Sequence, residues 1–346
     1  MRPATLPVEA RRRGPARSRM ADVARLAGVS TATVSRALRQ PDIVSEELRG
    51  RIDEAVRRLA YRPNLMAGGL ATARSHTVGV IVPSIINSFF AATLEDMAEG
   101  LAAHGYQLML GNSSYSVETE EALVRSFLAW SPAAIVLTGR HHSRETLRSL
   151  LDADVPVVEM WELGERPLDG LVGFSHEAVG RAVADHFVAR GARRFGFIGA
   201  ALDRDRRAAE RGRGFAEAIR SAGFPPPAKM VLADRASTLG GGEALRELLS
   251  QAPETDAVFC SNDVMALGAL FACRRAGWDV PDRLRLCGFG DLDFAAASVP
   301  TLSTVRPPRR EIGRCVADLL IRRFAGEGAT GEMIDLGFEL VPRESS

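Results

Sequence analysis

Thr31, Ala32, Ser35 and Arg36 are the residues whose types and spacing most directly suggest recognition chemistry. The stretch Asp22 to Leu38 reads as two short helices joined by a turn at Gly28. Val23, Ala24 and Ala27 give the first helix one apolar face, and Val34, Ala37 and Leu38 give the second an inner side at helical spacing. What is left facing outward is small and polar, apart from the Arg36 guanidinium, which can bond two guanine acceptors at once. Such a pair fits a DNA major groove, although an ordinary helical hairpin has the same pattern. A second chemistry is offered by the dense run Arg204, Arg206, Arg207, Arg211 and Arg213. Arginine is the side chain best shaped to hold a carboxylate through two parallel hydrogen bonds.

These residues need elements to hold them. Gly28 supplies a backbone that turns at little steric cost, and Ser30 is a natural N-cap for the second helix. A third helix is expected from Ser45 to Leu59. Its stripe Leu48, Ile52, Val56 and Leu59 would cover the first two, with Glu46 and Glu47 at its positive end and Arg57 and Arg58 at its negative end. Pro63 stops that helix, and Asn64 can cap a short one running to about Leu70. From Thr77 onward, short apolar runs alternate with helix-length stretches. The strands are expected at 78–82, 107–110, 134–137, 156–158, 195–198, 230–232, 257–259 and 284–289, with a final strand from Ile334 to Val341. This alternation predicts an α/β body of parallel sheets with helices on both faces, which bind ligands at the carboxyl ends of their strands. Trp161, with a polar N–H on a large apolar face, suits either the wall of such a cleft or the core.

Charge and cysteine content narrow the setting. Residues 1–70 hold fourteen arginines, no lysine and seven acids, a net +7; the whole chain is +1, so the remainder is −6. A basic head on an acidic body is the footprint of a nucleic-acid-binding head and a sensing body. The 346 residues are too many for one compact core. The first nineteen residues are rich in arginine and lack the apolar core of a secretory signal. They read either as a flexible arm adding phosphate attraction or as the product of an upstream start. Cys260, Cys273, Cys287 and Cys315 are scattered, and the six histidines make no metal-ligand spacing. There is no phosphate-binding glycine loop, nucleophile elbow or metalloprotease motif. No enzyme chemistry, metal or cofactor is therefore expected, and the compartment is expected to be the cytoplasm.

The run Asp-Val-Ala-Arg-Leu-Ala-Gly-Val-Ser-x-x-Thr-Val-Ser-Arg-Ala-Leu, followed by Tyr61-x-Pro63-Asn64 and a short hinge helix, resembles the LacI family of bacterial transcription repressors. The resemblance implies a tail over 1–19, a helix-turn-helix domain over 20–62 and a hinge over 63–75. A two-lobed, periplasmic-binding-protein-like body would follow over 76–346, with an N-lobe of about 76–173 and 306–333 and a C-lobe of about 174–305 and 334–346. It further implies that Ser30, Thr31, Ala32, Thr33, Ser35 and Arg36 face DNA, with Asn64 and Leu70 serving the hinge, and that Leu70 wedges into the minor groove. For the effector it implies Phe89 as a stacking aromatic, Arg204 and Arg211 as a grip, and an acid at the last cleft segment. Gly290 occupies the usual place of that acid, and Asp291 follows it.

Pro83-Ser-Ile-x-Asn87-Ser-x-Phe90, Val172-Gly-Phe-Ser175, Gly288 to Ala295 and Thr304-Val-Arg-Pro-Pro308 look, more narrowly, like gluconate-operon repressors. The effector set then becomes Asn87, Phe89, Trp161, Arg204, Arg211 and Asp291, and the ligand a small sugar acid. The partners implied are a pseudo-palindromic operator and a second copy of the chain. A dimer is expected, because the family's tetramers carry a further C-terminal leucine-heptad helix. The alternatives are a transport-associated sugar-binding protein of the same two-lobed fold and a repressor of this family sensing a different carbohydrate.

Overall fold

The computed structural model describes residues 18–39, 43–61, 75–86 and 89–346. Asn64, Leu70 and Asn87, the expected hinge helix and the tail before Ser18 lie outside the described residues. The chain divides into two compact units, Met1–Ala73 and Arg74–Ser346.

In the first unit the apolar spacing produces three helices, α1 (Met20–Ala27), α2 (Thr31–Arg39) and α3 (Glu46–Arg58). Their core is Val23, Ala24, Ala27, Val34, Ala37, Ile52, Ala55 and Tyr61, while Leu38, Leu48, Val56 and Leu59 are only partly covered. Gly28 ends α1 at φ 67. A Cβ at that position would stand 2.9 Å from the Arg51 guanidinium, which donates to the Ala27 carbonyl at 2.6 Å. Glycine is favoured by its backbone angle, and its missing side chain leaves room for the cross-link from α3. The Ser30 hydroxyl accepts from the Thr33 N–H at 3.1 Å and opens α2.

The second unit contains two six-stranded sheets. Strands β1 (Thr77–Val82), β2 (Gln107–Asn112), β3 (Ala134–Thr138), β4 (Val157–Met160), β5 (Gly170–Gly173) and β11 (Glu332–Asp335) form the first, in the order β11-β5-β4-β3-β1-β2, all parallel. The second contains β6 (Phe195–Ala200), β7 (Ala228–Leu232), β8 (Ala257–Cys260), β9 (Arg285–Phe289), β10 (Ser303–Arg306) and β12 (Glu339–Val341). Its order is β12-β10-β9-β8-β6-β7, with only β12 antiparallel. Strands β3, β4, β6 and β8 are buried along their whole length, as strands covered by helices on both faces must be.

Each sheet with its helices is a lobe, and the chain passes between lobes after β5, after β10 and between β11 and β12. The last passage corrects one expectation. The segment from Ile334 to Val341 is two strands in different sheets, because the Asp335 carboxylate accepts from the Gly337 N–H at 2.9 Å and turns the chain between them. Strands β5 and β10 were not anticipated either; each has only four residues.

The helices are α4 (Ala91–Ala102), α5 (Val117–Leu128), α6 (Arg144–Ala153), α7 (His176–Ala189), α8 (Arg206–Ser221), α9 (Thr238–Gln251), α10 (Asp263–Ala276), α11 (Asp293–Ala297) and α12 (Arg309–Phe324). Helices α7 and α8 touch backbone to backbone: a Cβ on Gly180 would lie 2.0 Å from the Arg211 carbonyl, and one on Gly214 would lie 2.2 Å from that of Glu177. This contact sets the depth at which Arg211 enters the space between the lobes. Among the described residues no helix is long and apolar enough to cross a membrane.

Candidate functional site

On the first unit, Ser30, Thr31, Ala32 and Arg36 are exposed, and Thr33 and Ser35 are half-buried. All six stand at the start or on the outer surface of α2, whose inner side is fixed by Val34 and Ala37 at 0% and 7% exposure. Burying such side chains is worth roughly 1.5–3 kcal/mol for valine, so the phase of α2, and with it the direction of Arg36, is set by the core.

In the second unit a small cavity of about 50 Å³ lies between the lobes, lined by Ser84, Phe89, Phe90, Tyr115, Trp161, His176, Asp205, Arg207, Arg211, Asn262, Val264, Phe289 and Leu292. Ligand sites usually measure about 300–1,000 Å³, so a sugar-sized molecule requires side chains of this lining to swing aside. One wall is aromatic. The Phe89 ring lies 4.9 Å from Trp161 and 5.5 Å from Phe289, and Phe90 packs edge-on against Trp161 at 5.0 Å.

The other wall is polar and centred on Arg211, which is 4% exposed. Its guanidinium lies 3.9 Å from the centre of the Phe289 ring, and one Nη donates to the Ser261 carbonyl at 2.9 Å. Because arginine can only donate, His176 Nδ1 accepts from the other Nη at 3.0 Å, and His176 Nε2–H donates to the Trp161 carbonyl at 2.8 Å. Burial drives His176 well below the ordinary histidine range, so it is a neutral spacer. Burial also pulls Arg211 down to about 10, which leaves it cationic at neutral pH. Among the described residues Arg211 makes no ion pair, and the buried Arg211 Nε and Trp161 Nε1 have no hydrogen-bond partner. Two orphaned donors beside an apolar ring can receive one small anionic, oxygen-rich molecule.

Arg207 enters the same cavity four residues earlier on α8. Burial opposes its charge, but the Asp205 and Glu162 carboxylates outweigh that and raise its pKa. Tyr115 faces it, its phenol pushed up to about 12 mainly by burial.

The expected effector residues are not all brought together. Phe89, Trp161 and Arg211 line the cavity. Arg204 does not: it lies exposed on the turn before α8, donating to the Ala233 carbonyl at 3.1 Å. Asp291 does not either. Its carboxylate is taken up by Arg306 and Arg343, both at 2.6 Å, which hold its pKa down against burial. Asn87 lies outside the described residues. Tyr115, His176, Arg207 and Asn262 were missed. Arg207 stands one helical turn from Arg211, a spacing visible in the sequence once Asp205 is seen as the N-cap of α8, where it accepts from the Ala208 N–H. Asn262 likewise follows a buried strand and caps α10, accepting from the Met265 N–H at 3.1 Å.

A family model described as bacterial regulatory proteins, lacI family, matches residues 19–64, and one described as a periplasmic binding protein-like domain matches 184–346. The chain is 41% identical to the HTH-type transcriptional regulator GntR of Pseudomonas aeruginosa, over 94% of each chain. It is 38% identical to the HTH-type transcriptional regulator GntR of Escherichia coli K12, over 93% of this chain and 96% of that one. A solved transcriptional regulator of the same family from Silicibacter pomeroyi superposes with a TM-score of 0.89 at 32% identity, over 95% of this chain and 99% of that one.

Proposed function

Starting from a chain that belongs to the LacI family of bacterial regulatory proteins and is a DNA-binding transcriptional repressor, we propose that its affinity for DNA is set by a small sugar acid, gluconate or a close relative, held between the lobes of its body. The observation that carries this reading is Arg211: a buried, charged guanidinium with no acidic partner among the described residues, lining the same cavity as Trp161, whose N–H is also unpartnered. A carboxylate completes its hydrogen bonds, the Phe89 and Trp161 rings cover C–H faces, and Asn262 and Asp205 suit hydroxyls. A neutral sugar would leave a buried cation unpaired, an expensive arrangement in a site closed to water.

The protein acts in the cytoplasm as a homodimer whose two heads meet the half-sites of a pseudo-palindromic operator, since two-fold symmetry in the protein is mirrored in the DNA. Arg36, with Thr31 and Ala32, reads base edges. The sugar acid favours one lobe separation and so releases the operator; only a ligand with different affinity for the two states can do this.

The test is titration calorimetry of the full chain with gluconate, its phosphate ester and glucose, repeated on Arg211→Met, with operator retardation run alongside. Gluconate should bind at least tenfold more tightly than glucose and release operator. Arg211→Met should lose about 1.5–3 kcal/mol of that binding while keeping its thermal transition. Glucose binding as tight as gluconate would remove the acid from this reading.

A further inference from the structure

Arg207 makes a contact that a ligand site alone does not require. It stands on the first turn of α8, in the lobe of the second sheet, yet its guanidinium reaches the other lobe. One Nη lies 3.4 Å from the Thr138 carbonyl at the end of β3 and 3.9 Å from Glu162 Oε1 just beyond β4. Only 12% of the Arg207 side chain and 4% of that of Glu162 are exposed. Gly139 leaves room for the encounter: at φ +92, a Cβ there would stand 2.8 Å from the guanidinium and 3.5 Å from both Glu162 oxygens.

Glu162 is firmly placed. It follows Trp161, whose backbone is held at φ 72, and a side chain at Gly173 would collide with its main chain at 2.3 Å. Arg211, by contrast, keeps its own hydrogen bonds to Ser261 and His176 within the lobe of the second sheet. The two buried arginines therefore have different reach. One is anchored in its own lobe, and the other bridges to the opposite one.

We propose that Arg207 and Glu162 form a latch across the cleft, which makes Arg207 a positioning residue. The pair holds the lobes at the separation where Arg211 on one side and Phe89 and Trp161 on the other act on a single ligand. This inference rests on the reading of the cleft as the ligand site, but the latch itself exists without ligand. Removing Glu162 leaves Arg207 with Asp205 of its own lobe, and removing Arg207 leaves Glu162 with His141 of its own lobe at 3.9 Å. In either single variant no ion pair ties the lobes together at this point and they part more readily; removing both leaves an apolar contact that can close again. A protein whose closed form is less populated binds ligand more weakly by that fraction.

The experiment uses the full-length protein and the variants Glu162→Gln, Arg207→Met, the conservative Arg207→Lys and the double variant Glu162→Met with Arg207→Met. Hydrogen exchange of segments 138–140 and 159–163 and the radius of gyration from X-ray scattering are measured without ligand, and gluconate is then titrated by calorimetry. Both neutralising single variants should speed exchange in the two segments at least tenfold, enlarge the radius and weaken gluconate about tenfold. Arg207→Lys should fall between, and the double variant should recover slow exchange. Unchanged exchange in the single variants overturns the latch, and a loss of affinity with it would show that Arg207 touches the ligand instead. Faster exchange that the double variant does not reverse also overturns it, as a general loss of folding. If gluconate binds none of these proteins, including the parent, the ligand reading fails while the ligand-free measurements still decide the latch.

Discussion

The face of α2 and the cleft of the body both offer arginines for recognition, yet they are built in opposite ways. Arg36 projects from an exposed helix surface whose orientation depends on a core of eight side chains, all but Tyr61 small or medium, that lie close in sequence. Arg211 is buried, stacked on one ring and bonded to residues 35 and 50 positions away. An exposed guanidinium keeps its hydration until DNA replaces it, so its contribution is made in contact with bases and phosphates. A buried one has already lost its water, which makes the presence or absence of a matching anion a large difference. The head is suited to sampling many sequences, and the cleft to distinguishing a few small molecules.

The contrast extends to the charges that hold each unit together, and this gives the largest effect. The side chain of His142, 1% exposed, lies 2.7 Å from Glu120 and 3.6 Å from Glu159. Burial opposes its charge, but the two carboxylates prevail and raise it to about 9. A histidine raised above its unfolded value of about 6.5 contributes stability that is complete below that pH and lost as the pH climbs through about 9, on the order of 3 kcal/mol here. The ion pairs of the head, such as Arg25 with Asp22, are largely exposed and contribute little. Urea unfolding of the body should thus show a lower midpoint at pH 9.5 than at pH 6.5, and His142→Gln should flatten the difference. Equal midpoints in the parent protein would erase the contrast in charge burial.

A smaller effect sharpens the account of α2. Arg36→Ala should weaken operator binding by ~1–3 kcal/mol while leaving binding to random DNA nearly intact. Retardation assays with both DNAs at one salt concentration measure it. Equal losses on the two would mean that Arg36 meets only phosphate.

The smallest expected effect lies on the rim of the cleft. Arg204→Ala should change gluconate affinity by less than about 0.5 kcal/mol, because its guanidinium is committed to the Ala233 carbonyl outside the cavity. Calorimetry beside Arg211→Met gives the comparison, and equal losses would place Arg204 in the site after all.

Much of this molecule is legible in its residues, because much of it is local. Gly28, Ser30 and the apolar residues of α1 and α2 act within one or two helical turns, so their types and order suffice to specify the helix-turn-helix. The inner strands β3, β4, β6 and β8 are buried on both faces and so stand out as short apolar runs between helices. Within the dense basic run after a strand's carboxyl end, the family resemblance singles out Arg204 and Arg211; of the two, only Arg211 lines the cavity.

Tertiary structure alone decided which of its neighbours matter. The phase of α8, set by the Asp205 cap and by the close seating of Gly180 against Arg211, turns Arg207 inward and leaves Arg204 on the turn outside. Asp291 has the right charge for a hydroxyl acceptor, but Arg306 and Arg343, fifteen and 52 residues away, occupy its oxygens. Nothing in the local sequence around Asp291 or Glu162 announces those partners. A side chain's availability depends on every group that packs against it, and in a body whose chain passes three times between lobes, those groups come from distant segments. Residue types and spacing therefore determine the helices, the strands and the location of a basic run at the carboxyl end of a strand; which of its charges remain free is determined only when distant segments of the chain pack together.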